Sequence, residues 1–202
     1  LVYCFYFYSW YVTIHFRMRL LSLKLFLFFI YLLFISNTSA DQKPDIKNLK
    51  IHKDPKQVSN IVFKDYRGLA VSLEDFRDSL VLINFWATWC APCKKEMPSL
   101  SELSRKLPNL KVYAINMEKP NIKKVQNFYN DLKINNIKIY FDPEFNLAKK
   151  FRMRGLPTTI FIDKSGNEFA RAIGEIDFNS KKLIELLEKK INLWKNKPKL
   201  QE

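Results

Sequence analysis

The sequence predicts one α/β domain in which a mixed β-sheet lies between layers of helix. Three observations point there. Val81-Leu82-Ile83-Asn84-Phe85-Trp86 is almost continuously apolar, as a strand covered on both faces requires. Strand-like segments alternate with segments whose apolar residues recur every three or four positions. The chain then closes with a hairpin pattern and one more amphipathic helix, which adds antiparallel pairing to a sheet otherwise built by crossovers.

Each element has its own signal. Ile61-Val62-Phe63 and Leu69-Ala70-Val71 flank the turn formers Asp65-Tyr66-Arg67-Gly68 and read as a hairpin. Ser72-Leu73-Glu74-Asp75 opens a helical turn, with Ser72 as N-cap and Asp75 as the capping-box acid. After the strand at 81–86, Met97, Leu100, Leu103 and Leu107 set one apolar face on a helix over 91–107, which Pro98 is expected to bend. A second buried strand follows at 111–116, then an amphipathic helix at 121–132, a strand at 137–141 and a short helix at 143–151. Residues 158–163 and 168–173 flank Lys164-Ser165-Gly166-Asn167 as a hairpin. The last helix, capped by Asn179 or Ser180, aligns Leu183, Leu186, Leu187, Ile191 and Trp194.

Composition limits the function classes. A chain of 202 residues, 48% of them hydrophobic, suits one well-cored domain plus an extension. The net charge of +14 raises nucleic acid as a partner. Lys and Arg are spread among acidic neighbours, however, and no helix-turn-helix, zinc-finger or aromatic RNA-binding pattern is present, so no nucleic acid is expected. Three Cys exclude a disulfide-dense scaffold and any four-cysteine zinc or iron–sulfur site made from one copy.

Residues 1–40 carry no Asp or Glu, and Arg17, Arg19 and Lys24 are their only cations. Met18, Arg19 and Lys24 read as a positive n-region, residues 25–35 as an apolar h-region and Thr38-Ser39-Ala40 as a cleavage site: a signal peptide over 18–40. On that reading residues 1–17, which include Cys4, precede the true start. The alternative is an uncleaved tether to the inner membrane through residues 20–35, slightly short of the roughly 17–25 residues a span needs. Lipidation would require Cys where Asp41 stands. Polar, Pro-bearing residues 41–57 read as a linker, 58–197 as the domain and 198–202 as a tail. The Lys-rich last helix reads as a solvated face or one that meets an anionic membrane surface.

The chemistry lies in Trp89-Cys90-Ala91-Pro92-Cys93. Two Cys separated by two residues, after a buried strand and at the start of a helix, suit thiol–disulfide exchange. The helix N-terminus offers unpaired N–H groups and positive dipole to Cys90, whose thiolate is then the attacking species, with a pKa expected below the free value of about 8.5. Cys93, one turn further in, can attack the mixed disulfide formed at Cys90. Other readings stand beside this one. A structural disulfide here would close a tiny loop and remove little unfolded-state entropy. A zinc site would find only Cys90, Cys93 and His52 from Asp41 onward. The pair could also be small buried hydrophobes.

The run Phe85-Trp86-Ala87-Thr88-Trp89-Cys90-Ala91-Pro92-Cys93-Lys94-Lys95-Glu96-Met97-Pro98 resembles the active-site segment of the thioredoxin superfamily, and more closely that of its exported TlpA/ResA-type branch. Arg154-Gly155-Leu156-Pro157-Thr158-Thr159, followed by Phe161-Ile162-Asp163, resembles the loop where that family places a cis proline beside the redox pair. The resemblance spans about residues 58–194 and implies a thioredoxin-like fold with a helix–strand unit inserted before the cis-proline loop. It implies Cys90 and Cys93 as catalytic residues joined in a redox disulfide. Trp89, Pro92, Gly155, Pro157 and Thr158 would support the site or face substrate. It also implies Asn84 where ordinary thioredoxins hold a buried carboxylate, and a functional acid at Glu96, with a solvated Glu96 paired to a neighbouring Lys as the alternative.

The implied activity is that of a periplasmic thiol–disulfide oxidoreductase needing no cofactor or metal. It would reduce protein disulfides such as those of cytochrome c or cytochrome oxidase copper-site maturation, with electrons from a membrane thiol-transfer protein, and act as a monomer. A disulfide-introducing oxidant, a copper-handling protein and a non-redox binding module are the rival readings.

Overall fold

The computed structural model describes residues 46–59, 61–72 and 79–195, together with Lys24. The signal peptide or tether at 18–40 apart from Lys24, residues 73–75 of the helical turn expected after Ser72, the Trp194 side chain and the tail lie outside the described residues. No described helix is long and apolar enough to cross a membrane.

The strands are β1 (Leu49–Gln57), β2 (Val62–Asp65), β3 (Ala70–Ser72), β4 (Leu80–Trp86), β5 (Leu110–Asn116), β6 (Tyr140–Phe141), β7 (Thr158–Ile162) and β8 (Asn167–Ile173). The helices are α1 (Ala91–Lys106), α2 (Ile122–Asp131), α3 (Asn146–Lys150) and α4 (Lys181–Lys195). One eight-stranded sheet runs β1-β8-β7-β4-β5-β6-β2-β3. β4, β5 and β6 are parallel, and the pairs on either side are antiparallel, so the sheet is mixed as expected.

β4 lies at the centre and is buried along its whole length. Its side chains alternate between two cores. Leu80, Leu82 and Trp86 join α1, α2 and α4 through Met97, Leu100, Phe128, Leu183 and Leu187. Val81, Ile83 and Phe85 join Phe63, Tyr113, Ile160 and, on α3, Leu147. A strand with no solvated face explains the unbroken apolar run. Asn84 falls between Leu82 and Trp86 in the alternation, so it points toward the α1 side.

Most expected elements form, and the differences have local causes. The strand expected at 137–141 is confined to Tyr140–Phe141, and the helix expected at 143–151 to Asn146–Lys150. Asp142 stops the strand and starts the helix: its carboxylate accepts the N–H groups of Asn146, Leu147 and Ala148 at 3.0, 2.9 and 3.3 Å. In the β7–β8 hairpin Gly166 takes φ +80°, which favours glycine.

The larger correction is at residues 41–57. Leu49–Gln57 is not linker but an edge strand paired antiparallel with β8, Leu49 opposite Ala172 and Ile51 opposite Ala170. Leu49 and Ile51 pack on the α1-side core. His52 bonds the buried carboxylate of Glu168 at 2.8 Å, which Arg171 also holds at 2.8 and 2.9 Å. The domain therefore begins before Val58.

A chain starting at Val58 should accordingly be less stable than one starting at Asp41, by roughly 2–4 kcal/mol from lost apolar contact and the broken Glu168 cluster. Urea unfolding of the two chains measures this; equal midpoints would return residues 41–57 to a linker.

Candidate active site

β4 ends at Trp86, the chain turns through Ala87-Thr88-Trp89, and α1 begins at Ala91. Cys90 is the N-cap of α1, and its sulfur accepts the Cys93 N–H at 3.3 Å. The helix thus directs one of its free first-turn donors at Cys90. Pro92 occupies the first turn, where its missing N–H costs nothing. Cys90 and Cys93 form a disulfide, with an S–S distance of 2.04 Å. Both are buried, Cys90 4% exposed and Cys93 0%, so the N-cap residue is the one of the pair that retains any surface.

The loop expected beside the pair also takes its expected form. The Leu156–Pro157 peptide is cis. Thr158 starts β7 opposite Phe85 of β4, and its hydroxyl donates to the Gly155 carbonyl at 2.7 Å. The Pro157 carbonyl accepts the Gly174 N–H at 2.9 Å, which fixes the loop to the end of β8. Between Gly155-Leu156 and the 71% exposed ring of Trp89 lies a cleft of about 660 Å³, walled by Met117, Phe145 and Met153.

Glu96 is a buried residue, 2% exposed, and not the solvated surface acid that was the alternative. Lys95 pairs with Glu175 instead, at 2.7 Å. Glu96 lies three residues after Cys93 on the inward face of α1, where Cys93, Met97 and Leu100 are all buried. One of its oxygens accepts from Asn84 Nδ2 at 2.8 Å and the other from the Ile176 N–H at 3.2 Å. The same Asn84 Nδ2 donates to Thr159 Oγ1 at 3.0 Å, while Asn84 Oδ1 is buried with no protein partner. Burial pushes the Glu96 carboxyl up to about 7, against the pull of the Asn84 and Ile176 hydrogen bonds, and the nearby Glu175 charge adds to the rise.

Glu118, just past β5, was not anticipated from the sequence. Its carboxylate accepts the Thr88 N–H at 2.7 Å and the Thr88 hydroxyl at 3.1 Å, next to the reactive segment. The available signal was its place: the polar Asn116 and Glu118 on either side of Met117 at the carboxyl end of a buried parallel strand, where α/β sheets gather their sites. Among the described residues no group of three or more His, Cys, Asp or Glu could hold a metal ion.

Residues 55–167 match the AhpC/TSA family. The chain is 35% identical over 124 residues to the thiol-disulfide oxidoreductase ResA of Bacillus thuringiensis subsp. konkukian, covering 59% of this chain and 69% of that one. Among solved structures, a secreted thiol-disulfide isomerase from Corynebacterium glutamicum matches with a TM-score of 0.61 and 25% identity, covering 75% of this chain and 95% of that one. A DsbF homologue from Corynebacterium diphtheriae matches with a TM-score of 0.59 and 29% identity over 72% of this chain and 95% of its own. The chain therefore belongs to the AhpC/TSA family of the thioredoxin superfamily, and is a thiol–disulfide oxidoreductase built around the pair Cys90 and Cys93.

Proposed function

We propose that this protein is exported and reduces specific protein disulfides in the periplasm, of the kind formed during cytochrome c or cytochrome oxidase copper-site maturation. A membrane thiol-transfer protein would restore its own dithiol. The observation that carries the redox mechanism is a disulfide whose first sulfur belongs to the N-cap residue Cys90, with a buried acid, Glu96, one turn beyond Cys93. The resemblance to exported oxidoreductases and the signal-like pattern at 18–40 support export.

The steps balance within the pair. The Cys90 thiolate, favoured by the Cys93 N–H and the helix N-terminus, attacks one sulfur of the substrate disulfide. A mixed disulfide forms and the other substrate sulfur leaves as thiolate. Glu96 then takes the Cys93 proton, and the Cys93 sulfur attacks Cys90 Sγ. The second substrate sulfur departs, two electrons have passed to the substrate, and Cys90–Cys93 is the disulfide seen here. An acid with a pKa of about 7 is matched to that proton transfer near neutral pH. Trp89, Gly155 and the cis Pro157 loop form the face that receives the substrate chain, which can pair along the loop as an added strand.

A Cys93→Ala variant stops the sequence at the mixed disulfide. It should accumulate covalent adducts on Cys90 in periplasmic extracts, released by dithiothreitol and identified by mass spectrometry. Absence of adducts would contradict a reductase acting through Cys90.

Glu96→Gln keeps the shape and removes the base. Reduction of a protein disulfide should slow about tenfold or more at neutral pH, and the titration near pH 7 should vanish from the rate profile. Glu102→Gln, on the exposed side of α1, should change neither. Unchanged stopped-flow rates in Glu96→Gln would assign the proton to water.

The same carboxyl has a stability signature. Its folded pKa of about 7 lies above the ordinary 4.5, so between those values the folded state holds more proton than the unfolded state. Stability should therefore fall as pH rises from about 4.5 to 7, on the order of 3 kcal/mol from this group. Denaturant unfolding of oxidised protein across that range should show a drop that Glu96→Gln flattens.

A further inference from the structure

Thr88 connects the buried end of β4 to Trp89 and Cys90, and one carboxylate takes both of its donors. The parallel ladder of β4 and β5 ends at the pair Trp86 and Asn116, and the Met117 N–H continues it to the Trp86 carbonyl at 2.9 Å. One step on, the Thr88 N–H meets Glu118 Oε2 at 2.7 Å instead of a strand carbonyl. The chain leaves the sheet here, held by a side chain. Glu118 is itself tied at two further points: Asn116 Nδ2 donates to Oε2 at 3.2 Å, and Lys124 Nζ, in the first turn of α2, donates to Oε1 at 2.6 Å. The Glu118 N–H returns to Asn116 Oδ1 at 2.9 Å.

All four partners of the carboxylate are donors, so a carboxylate fits where an amide would set its own N–H against at least one of them. Each oxygen already accepts twice. Glu118 therefore has no free acceptor for a substrate or a reacting proton. Burial pushes its carboxyl up, but the bonds from Lys124, Thr88 and Asn116 outweigh this and hold it at about 2, charged across the working range. The beneficiary is the next residue. Trp89 is 71% exposed, so packing of its ring does little to place it, and its position over the cleft is set by the backbone that Thr88 anchors.

We propose that Glu118 is a positioning residue for protein substrates: by fixing Thr88 it holds Trp89 at the mouth of the cleft, so that a disulfide-bearing polypeptide is presented to Cys90. This rests on the reductase reading above and adds a specificity element to it. Cys90 keeps its own bonds to α1, so its reactivity toward a small disulfide that needs no cleft is independent of Glu118.

The test compares Glu118→Gln with the unaltered protein on two oxidised substrates, insulin and hydroxyethyl disulfide. For insulin KM should rise about tenfold, the size expected on disturbing hydrogen bonds to a charged group, with kcat little changed. Reduction of hydroxyethyl disulfide should be unchanged. Thr88→Val, which removes only the hydroxyl bond, should give the same KM-only pattern at about threefold and covers the case in which Glu118→Gln does not fold. Equal losses on both substrates, or an unmoved KM for insulin, would overturn the positioning role while leaving the reductase reading intact. Failure of the unaltered protein to reduce either disulfide would overturn both.

Discussion

A carboxylate sealed from water must be paid for by its surroundings, and the active end of this molecule is arranged around one. Glu96 has lost its hydration to α1 and β4, and two donors partly replace it: the side chain of Asn84 and the main chain at Ile176. They leave it less favourable as a charge than in water, and its pKa of about 7 follows. The positions of β4, α1 and the segment after β8 are fixed by that carboxyl as well as by apolar contact. Thr159 of β7 joins through Asn84, so the strand entered from the cis-proline loop belongs to the same hydrogen-bonded unit.

The double-sided sheet makes such an arrangement stable. Because β4 is buried on both faces, Asn84 can stand in the α1-side core between Leu82 and Trp86 without opening that core to solvent. The same strand delivers the chain to the N-terminus of α1, where Cys90 sits at the boundary and Cys93 below it. Cys93 and the buried carboxyl of Glu96 thus lie one helical turn apart. The protein end of the reaction has its own support in Glu118, which secures the loop from the β5 side.

Much of this was legible in residue order, for physical reasons that differ by element. β4 and α1 announce themselves because burial on two faces or along one stripe imposes composition directly. The Cys pair was legible from its spacing at a helix start after a buried strand, and Pro157 through the family resemblance; the pair is joined as a disulfide and the Leu156–Pro157 peptide is cis. β1 was not, because an edge strand pairs on one side only and tolerates the Lys, Asp and Pro of Lys50-Ile51-His52-Lys53-Asp54-Pro55. Glu96 could have been placed more firmly: it falls in the stripe of Cys93, Met97, Leu100 and Leu103, and an acid in an apolar stripe is buried. Glu118 depends on contacts with Thr88 and Lys124 that only the fold brings together, so order alone left it as one more charged residue after a strand.

A buried Glu96 poised near neutrality and coupled to the Cys pair should titrate with the redox state of that pair. Carbon NMR of protein carrying 13C-carboxyl-labelled Glu, titrated in the disulfide and dithiol forms with Glu96→Gln for assignment, measures this most directly. A Glu96 midpoint near 7 is expected in the oxidised form and a different midpoint once the pair is reduced, because a nearby thiolate is a like charge. A midpoint close to the ordinary 4.5 in both forms would mean that Glu96 is neither shifted by burial nor coupled to the pair.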